Sequence, residues 1–411
     1  MNPHTTSSEM PEMLHPVSWA NPQVLEKKIF TRKTQLKIGV PKEQSLQENR
    51  VSLIPEAVGV LVLNGHTVLI EHNAGAAAQF SDRAYTEVGA QIVYESAEIY
   101  KECDVIVKIT PLSSDELQMM QDGKTLLSAV HLGSIKPDYL KTLTQKNITA
   151  IGFEFIRNSE FEFPMLQMMS EIAGASSILI ASELLTVNNG GKGLLLGGIT
   201  GVPPAVVTVL GAGNAGVHAA ITALGLGADV KVIDEDIAKL RRLEYILGRK
   251  VYTAVSQQNY IEEAVISADV VIGAIFKSSG RTPVIVTEEM VTRMREGSVI
   301  VDISIDQGGC FETSEVTTHS KPTYIRHGVI HYCVPNIASR VPNTASSAIS
   351  NILAPMLVQL GNGGTLNDWL GVDRYIKSGI YAYRRHITHK ALAGMFGLDY
   401  MDIDLLYAAH F

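Results

Sequence analysis

From Lys37 onward, short apolar runs rich in β-branched residues alternate with stretches whose apolar positions recur at helical spacing. The first series of strands reads KIGV (37–40), TVLIE (67–71), QIVY (91–94), VIVKI (105–109), TLLSAV (125–130) and TAIGFEF (149–155). Between them PEAVGVLVLNG, DRAYTEVG, AEIYKE, SSDELQMMQ and PDYLKTLTQK predict helices. Alternation of this kind predicts βαβ units around a parallel sheet. A long apolar helix follows over Pro164 to Thr186, then a connection rich in Gly and Pro, NNGGKGLLLGGITGVPPA. A second alternating series reads VVTVLG (206–211), VKVID (230–234), VYTAV (251–255), DVVIGAI (269–275), VIVDISI (299–305) and VIHYCV (329–334). The chain turns helical again from Asn343 to Leu360 and closes on a short helical tail.

The pattern predicts an α/β protein with two doubly wound Rossmann-like domains linked by long helices. The expected division is an N-terminal extension over 1–36, a substrate domain from 37–163 and 343–411, and a dinucleotide-binding domain over 164–342. The 411 residues suit two or three domains. The extension shows no period beyond a possible short helix over Val24 to Lys33, and no chemistry is assigned to it.

The segment VVTVLGAGNAGVHAAITALGLGADVKVID carries the strongest local signal. A strand runs into Gly211-x-Gly213-x-x-Gly216, a helix follows, and a second strand ends at Asp234. Gly211 permits the tight turn, Gly213 lets backbone approach a pyrophosphate, and Gly216 lets the helix pack close to the strand. The helix N-terminus, at Asn214 and Ala215, would face the phosphates with unpaired N–H groups. A carboxylate at Asp234 can accept from ribose hydroxyls and repel a 2′-phosphate, which favours NAD over NADP.

Ligands of open α/β sheets sit outside the carboxyl ends of the strands. Arg50, Lys108 and His131 fall at or after such ends in the first series, and Asp302 and Asp306 in the second. Taken singly, each is more often a solvated charge or a packed histidine. Together, an arginine fork for a carboxylate, a lysine near a carbonyl and a histidine for proton transfer suit an amino-acid or 2-oxo-acid dehydrogenase.

Composition narrows the partners. A formal charge of −8 offers no basic face for nucleic acid or an anionic membrane. Cys103, Cys310 and Cys333 are too few and scattered for a disulfide framework, and no residue cluster has metal-ligand spacing. No long uninterrupted apolar run predicts a membrane helix, and the first residues lack a signal-peptide pattern, so a cytoplasmic location is expected.

The run KIGVPKEQSLQENRVSLIPEAVGVLVLNGHTVLIEHNAGAAAQFSD resembles the opening of alanine dehydrogenases and of the related transhydrogenase NAD-binding subunits. The likeness continues through MSEIAG (169–174), GGKGLLLGGITGV, LGAGNAG, VIDEDIAKLRRL, VDISIDQGGCFETSEVTTH and YCVPNIASRVPNTASSAISN. IDQGGCFE together with CVPNIAS points to the alanine dehydrogenases. The resemblance implies NAD as cofactor, L-alanine or pyruvate with ammonium as substrates, and a homo-hexamer. It implies catalytic roles for His131 and Asp306, carboxylate binding by Arg50, a substrate-side place for Asn336, and NAD contacts from Ser170 and Asp234.

One position departs from the family. Where the family shows Val-Lys-Val-Lys-Glu-Pro with its second lysine on the substrate, this chain reads Val107-Lys108-Ile109-Thr110-Pro111. Thr110 falls at the substrate-contacting position. Lys108, two residues back on the same strand face, is the remaining candidate to reach it. A transhydrogenase-type subunit and a catalytically silent NAD-binding redox sensor stand as the other readings.

Overall fold

The computed structural model describes residues 34–45, 47–131, 135–160, 162–277, 280–362 and 374–409. Most of the N-terminal extension lies outside these residues, so its reading as a tail is not addressed. The first unit runs β1 (Lys37–Val40), α1 (Pro55–Leu63), β2 (Thr67–Glu71), α2 (Asp82–Glu87), β3 (Gln91–Val93), α3 (Ser96–Glu102), β4 (Val105–Val107), α4 (Ser114–Met119), β5 (Thr125–Ser128), α5 (Pro137–Gln145) and β6 (Thr149–Gly152). The long α6 (Pro164–Leu184) leads into the second unit. That unit runs β7 (Val206–Leu210), α7 (Asn214–Gly225), β8 (Asp229–Asp234), α8 (Ile237–Leu247), β9 (Tyr252–Val255), α9 (Gln258–Ser267), β10 (Val270–Gly273), α10 (Glu288–Thr292), β11 (Val299–Asp302), β12 (Thr323–Arg326) and β13 (Val329–Tyr332). The chain ends with α11 (Pro342–Asn362), α12 (Arg374–Gly379), β14 (Ile380–Tyr383), β15 (His386–Ile387), α13 (Lys390–Phe396) and α14 (Ile403–Ala408).

Among the described residues the first sheet has strand order β15-β14-β6-β5-β4-β1-β2-β3 and the second β12-β13-β11-β10-β7-β8-β9. Both are parallel except at one edge, where β14, β15 and β12 run antiparallel to their neighbours. The protein is thus an α/β fold of two doubly wound, Rossmann-like units. The order reverses between β1 and β4 in the first sheet and between β7 and β10 in the second, and each reversal opens a crevice at the strand carboxyl ends.

The closing segment is not purely helical, contrary to expectation. Ile380–Ile387 forms a hairpin that extends the first sheet alongside β6. Its two-residue turn, Arg384 and Arg385, has φ of 48° and 68°, so both residues are left-handed. β12 was also not anticipated. It pairs with β13 through a two-residue turn of His327 and Gly328, with φ of 53° and 74°.

Several strands stop earlier than their apolar runs, because side-chain carboxylates replace the next rung of the ladder. β4 ends at Val107, and the Ile109 amide then donates to Glu43 Oε1 at 2.6 Å. β5 ends at Ser128, and the Val130 amide donates to Glu154 Oε1 at 2.5 Å. β11 ends for another reason: the chain enters the 3-10 turn Ile303–Gln307, and the Asp302 carboxylate holds the loop beyond it, Oδ2 accepting the Cys310 amide at 3.1 Å and Ser314 Oγ at 2.6 Å.

By length and composition alone α6 could cross a membrane. Its small residues instead seat it on α7: a Cβ on Gly174 would lie 2.1 Å from the Ala215 carbonyl oxygen. α11 lies against α1 and offers Ser346 and Ser350, one turn apart, which accept the Val51 and Ile54 amides at 2.9 Å each. The loop after β1 is thereby fixed by a helix nearly 300 residues further along the chain.

Candidate active site

The two units face each other across a crevice. From the first unit come the segment after β1, with Gln47, Glu48 and Arg50, and the end of β5 at His131. From the second come the short 3-10 turn Ile303–Gln307 and the segment after β13. Asn336 ties the halves together: its amide N donates to Asp306 Oδ1 at 3.0 Å and its Nδ2 to Glu48 Oε2 at 2.8 Å. Ser339 Oγ donates to the Gln47 carbonyl at 2.7 Å and accepts the Asn49 amide at 2.8 Å. The His319 amide donates to Gln47 Oε1 at 2.7 Å.

Three non-glycine residues around this crevice have left-handed backbones: Gln47, His131 and Asn336, with φ of 76°, 46° and 55°. Such conformations persist where surrounding structure holds them, and they concentrate at functional sites.

Arg50 is buried and forked onto Glu48, with Nε 2.7 Å from Oε1 and Nη2 2.6 Å from Oε2. Nη1 lies 3.4 Å from Met169 Sδ on α6. Burial alone would raise the Glu48 carboxyl, but the guanidinium outweighs it and holds the group below its usual range.

His131 and Asp306 are both open to solvent in the crevice, yet the walls desolvate them. Desolvation lowers the His131 pKa, and the charges of Arg50 and Lys108 lower it further. Desolvation raises that of Asp306 against the pull of the Asn336 amide and Arg50. The structure therefore brings Arg50, His131, Asp306 and Asn336 to one crevice.

Asp302 is placed differently, buried beneath the turn that carries Gly309 and Cys310. Lys108 also stands back from the opening. Its ammonium is 1% exposed and lies 2.9 Å from both Glu43 Oε2 and Thr110 Oγ1 and 3.3 Å from Glu116 Oε1. Thr110 in turn donates to Glu43 Oε2 at 2.5 Å. Burial raises the Glu43 carboxyl above its ordinary pKa.

Glu43, Glu48 and Glu116 were not singled out in the sequence. All three lie in loops or short helices whose charge reads as solvent-facing. Only the nearness of buried cations in space reveals them.

Beside this crevice a cleft of about 810 Å³ runs along the carboxyl ends of β7, β8 and β10. Its walls include Ser170, Gly211, Gly213, Asn214, Ala215 and Asp234. Gly211 is left-handed at φ 107°, and a Cβ on Gly216 would strike the Gly211 carbonyl oxygen, while one on Gly213 would meet open space. No side chain caps the N-terminus of α7. Its first amides and the bare Gly213 form a cradle that a pyrophosphate fits. Asp234 braces that loop: Oδ2 accepts the Ala212 amide at 2.7 Å and Oδ1 the Asp236 amide at 2.8 Å.

A nucleotide cleft opening beside a crevice with an arginine, a histidine and an aspartate defines a dehydrogenase that uses a nicotinamide dinucleotide. Residues 39–173 match the family model "Alanine dehydrogenase/PNT, N-terminal domain" and 177–390 match "Alanine dehydrogenase/PNT, C-terminal domain". The chain belongs to the alanine dehydrogenase/PNT family.

It is 40% identical over 370 residues to alanine dehydrogenase 2 of Staphylococcus aureus (strain USA300), covering 90% of this chain and 99% of that protein. A solved L-alanine dehydrogenase superposes with a TM-score of 0.83 at 39% identity, covering 88% of this chain and 99% of that one. A transhydrogenase from Sinorhizobium meliloti, at 24% identity and a TM-score of 0.74, covers 86% of this chain and 99% of its own and shares the fold.

Proposed function

We propose that this protein catalyses the reversible, NAD-dependent oxidative deamination of L-alanine to pyruvate and ammonium. The observation that carries the reading is the meeting of Arg50, His131, Asp306 and Asn336 in one inter-domain crevice beside the dinucleotide cleft. The extent of similarity to alanine dehydrogenases supports it.

NAD, held by the glycine loop and Asp234, would supply the acceptor for the hydride that leaves the alanine Cα. Arg50 holds the substrate carboxylate, with Glu48 fixing the plane of its guanidinium. Asn336 orients the substrate end of the nicotinamide pocket. His131, neutral at working pH because its pKa is lowered, takes a proton from the water that adds to the imine. It returns that proton to the amino nitrogen so that ammonia leaves, and Asp306 takes the hydroxyl proton as the carbonyl of pyruvate forms. Lys108 stands behind the crevice wall, paired with Glu43 and Glu116, and braces that wall under the substrate. Closure of the two domains on the substrate would keep bulk water from the hydride path.

Ser170, Gly211, Gly213, Asn214, Ala215, Gly216 and Asp234 hold the cofactor, and Asp234 selects NAD over NADP. Residues 37–163 and 343–411 form the substrate domain and 164–342 the NAD domain. The exposed apolar residues Leu195, Ile199 and Val202 of the connection between α6 and β7 supply a surface for self-association as a homo-hexamer. A cytoplasmic enzyme without nucleic-acid or membrane partners fits the acidic composition.

The test is NADH oxidation with pyruvate plus ammonium, then with each omitted, then with glyoxylate and 2-oxobutyrate. Oxidation that needs both pyruvate and ammonium is expected. NADH binding without turnover on any oxo acid would instead define a silent redox sensor, for which the withdrawn ammonium of Lys108 is the relevant feature.

A further inference from the structure

Behind His131 lies a carboxyl group that the chemistry above does not use. Glu154 sits in the 3-10 turn Phe153–Phe155 that follows β6. Its Oε1 accepts the Val130 amide at 2.5 Å and lies 3.4 Å from the His131 amide. Its Oε2 is buried and has no hydrogen-bond partner among the described residues. The amides it holds belong to the two residues that swing the chain from β5 into the crevice, where His131 takes its left-handed φ of 46°.

We propose that Glu154 is a positioning residue for His131, its carboxylate clamping the Val130–His131 backbone so that the imidazole is aimed at the substrate. The inference rests on His131 being the proton carrier.

A neutral acceptor would end β5 without placing a charge in a dry pocket. A carboxylate makes shorter bonds to N–H donors, about twice as strong, and such a hold suits a strained non-glycine residue that must keep one orientation. The cost appears in the ionisation of the group: burial pushes the Glu154 carboxyl up to about 7, against the backbone amides of Val130, Glu154 and His131.

Among the described residues the titratable groups facing it are few. They are His131 at the end of β5, Tyr139 on α5 and Tyr381 on β14, and both phenols are themselves pushed up in part by the charge of Glu154. Beside it, Phe155 stacks on His389 at 4.3 Å between ring centres. Above about pH 7 the carboxylate is charged and the clamp is tight. Below that pH a proton weakens it. His131 itself titrates lower, since its pKa is lowered from 6.5, so the two events separate.

Glu154→Gln keeps an acceptor oxygen and the volume but cannot titrate. In the wild type, kcat should fall as pH drops through about 7 while NADH affinity holds. In Glu154→Gln that limb should vanish and the alkaline plateau should drop about five-fold, again with unchanged NADH affinity. Two readouts need no turnover. An infrared carbonyl band of a protonated buried carboxyl should titrate near pH 7 in the wild type and be missing in the variant. Because the folded pKa lies above the unfolded value of 4.5, ionisation destabilises the fold. The melting temperature of Glu154→Gln should therefore gain on the wild type as pH rises from 4.5 to about 7.

A variant that keeps the wild-type limb and midpoint overturns the proposal, as does one that loses NADH binding along with turnover. Full turnover in His131→Ala would remove the reading on which the proposal rests. An inactive His131→Ala beside an unaltered Glu154→Gln profile would remove this proposal alone.

Discussion

The Lys108 ammonium lies 2.9 Å from Glu43 Oε2, inside the wall of the crevice rather than across its opening. With Glu116 Oε1 at 3.3 Å, one cation is shared by two buried carboxyl groups. Removing it strands both, and breaking a buried ion pair from one side is among the more damaging changes a core can take. Lys108→Met should therefore lose about 3–5 kcal/mol in urea unfolding. A loss well under 1 kcal/mol would mean that the carboxylates are already protonated.

Thr110→Lys addresses the same cluster from the other side. It adds a second ammonium where one lysine already serves Glu43 and Glu116, and the new side chain is the one expected to turn its charge to the crevice. The KM for pyruvate should fall about ten-fold, the worth of one charged hydrogen bond. An unchanged KM would show that the crevice works without a lysine at position 110.

His131→Ala should lower turnover about 100-fold or more, because general acid–base transfer is lost. NADH affinity should stay within about two-fold, since the dinucleotide cleft is built from other residues. Fluorescence titration with NADH separates the two quantities. Unchanged turnover would remove His131 from the chemistry.

Most of this architecture was legible because parallel strands buried on both faces read as apolar runs, and the glycine loop at 211–216 has few alternative uses. The places where the sequence misled share one cause, contacts made by side chains distant along the chain. VIVKI and TLLSAV look like longer strands than they are, since nothing local says that Glu43 and Glu154 take over the ladder. The hairpin at 380–387 turns on two arginines in left-handed conformations, where a reader expects Asn-Gly. The β12–β13 turn, by contrast, carried a readable sign in its His-Gly pair. At the site, the strand-end positions of Arg50, His131 and Asp306 could be read, but not their shared crevice. The serines of α11 that hold the loop after β1 had no signal beyond small polar residues one turn apart.

Acid stability should depend on His331. The ring is fully buried, 2.8 Å from Thr313 Oγ1 through Nε2 and 3.0 Å from the Val329 carbonyl through Nδ1. Burial lowers its pKa from 6.5 to about 4. The unfolded chain thus binds the proton first, so stability is full above pH 6.5 and declines as pH falls toward 4. At about 1.4 kcal/mol per unit, the loss approaches roughly 3 kcal/mol. Urea unfolding between pH 7 and 4 should show this slope, and His331→Gln should flatten it. A slope identical in the variant would place the acid sensitivity elsewhere.

Asp234 joins two functions whose separation is measurable. Its oxygens already hold the Ala212 and Asp236 amides, so it shapes the glycine loop before any ribose arrives. It also lines, with Lys239, Arg242 and Lys277, the cleft proposed to take the dinucleotide, where its carboxylate would meet the ribose. Lys239 Nζ is 3.9 Å from its Oδ1, and Lys277 pairs with Glu235 at 2.5 Å. Asp234→Ala should weaken NADH binding about ten-fold through the loosened loop and the lost ribose acceptor. NADPH should lose less or gain, because the three cations stay while the carboxylate that repels a 2′-phosphate is gone. Asp234→Asn tests the parts separately: its one amide oxygen can keep the Ala212 bond that shapes the glycine loop, while the Asp236 bond and the charge are lost, so discrimination should relax with the loop largely held. The ratio of NADH to NADPH dissociation constants is the quantity to measure. If both variants kept the wild-type ratio, selectivity would have to come from the shape of the cleft and not from the charge of Asp234.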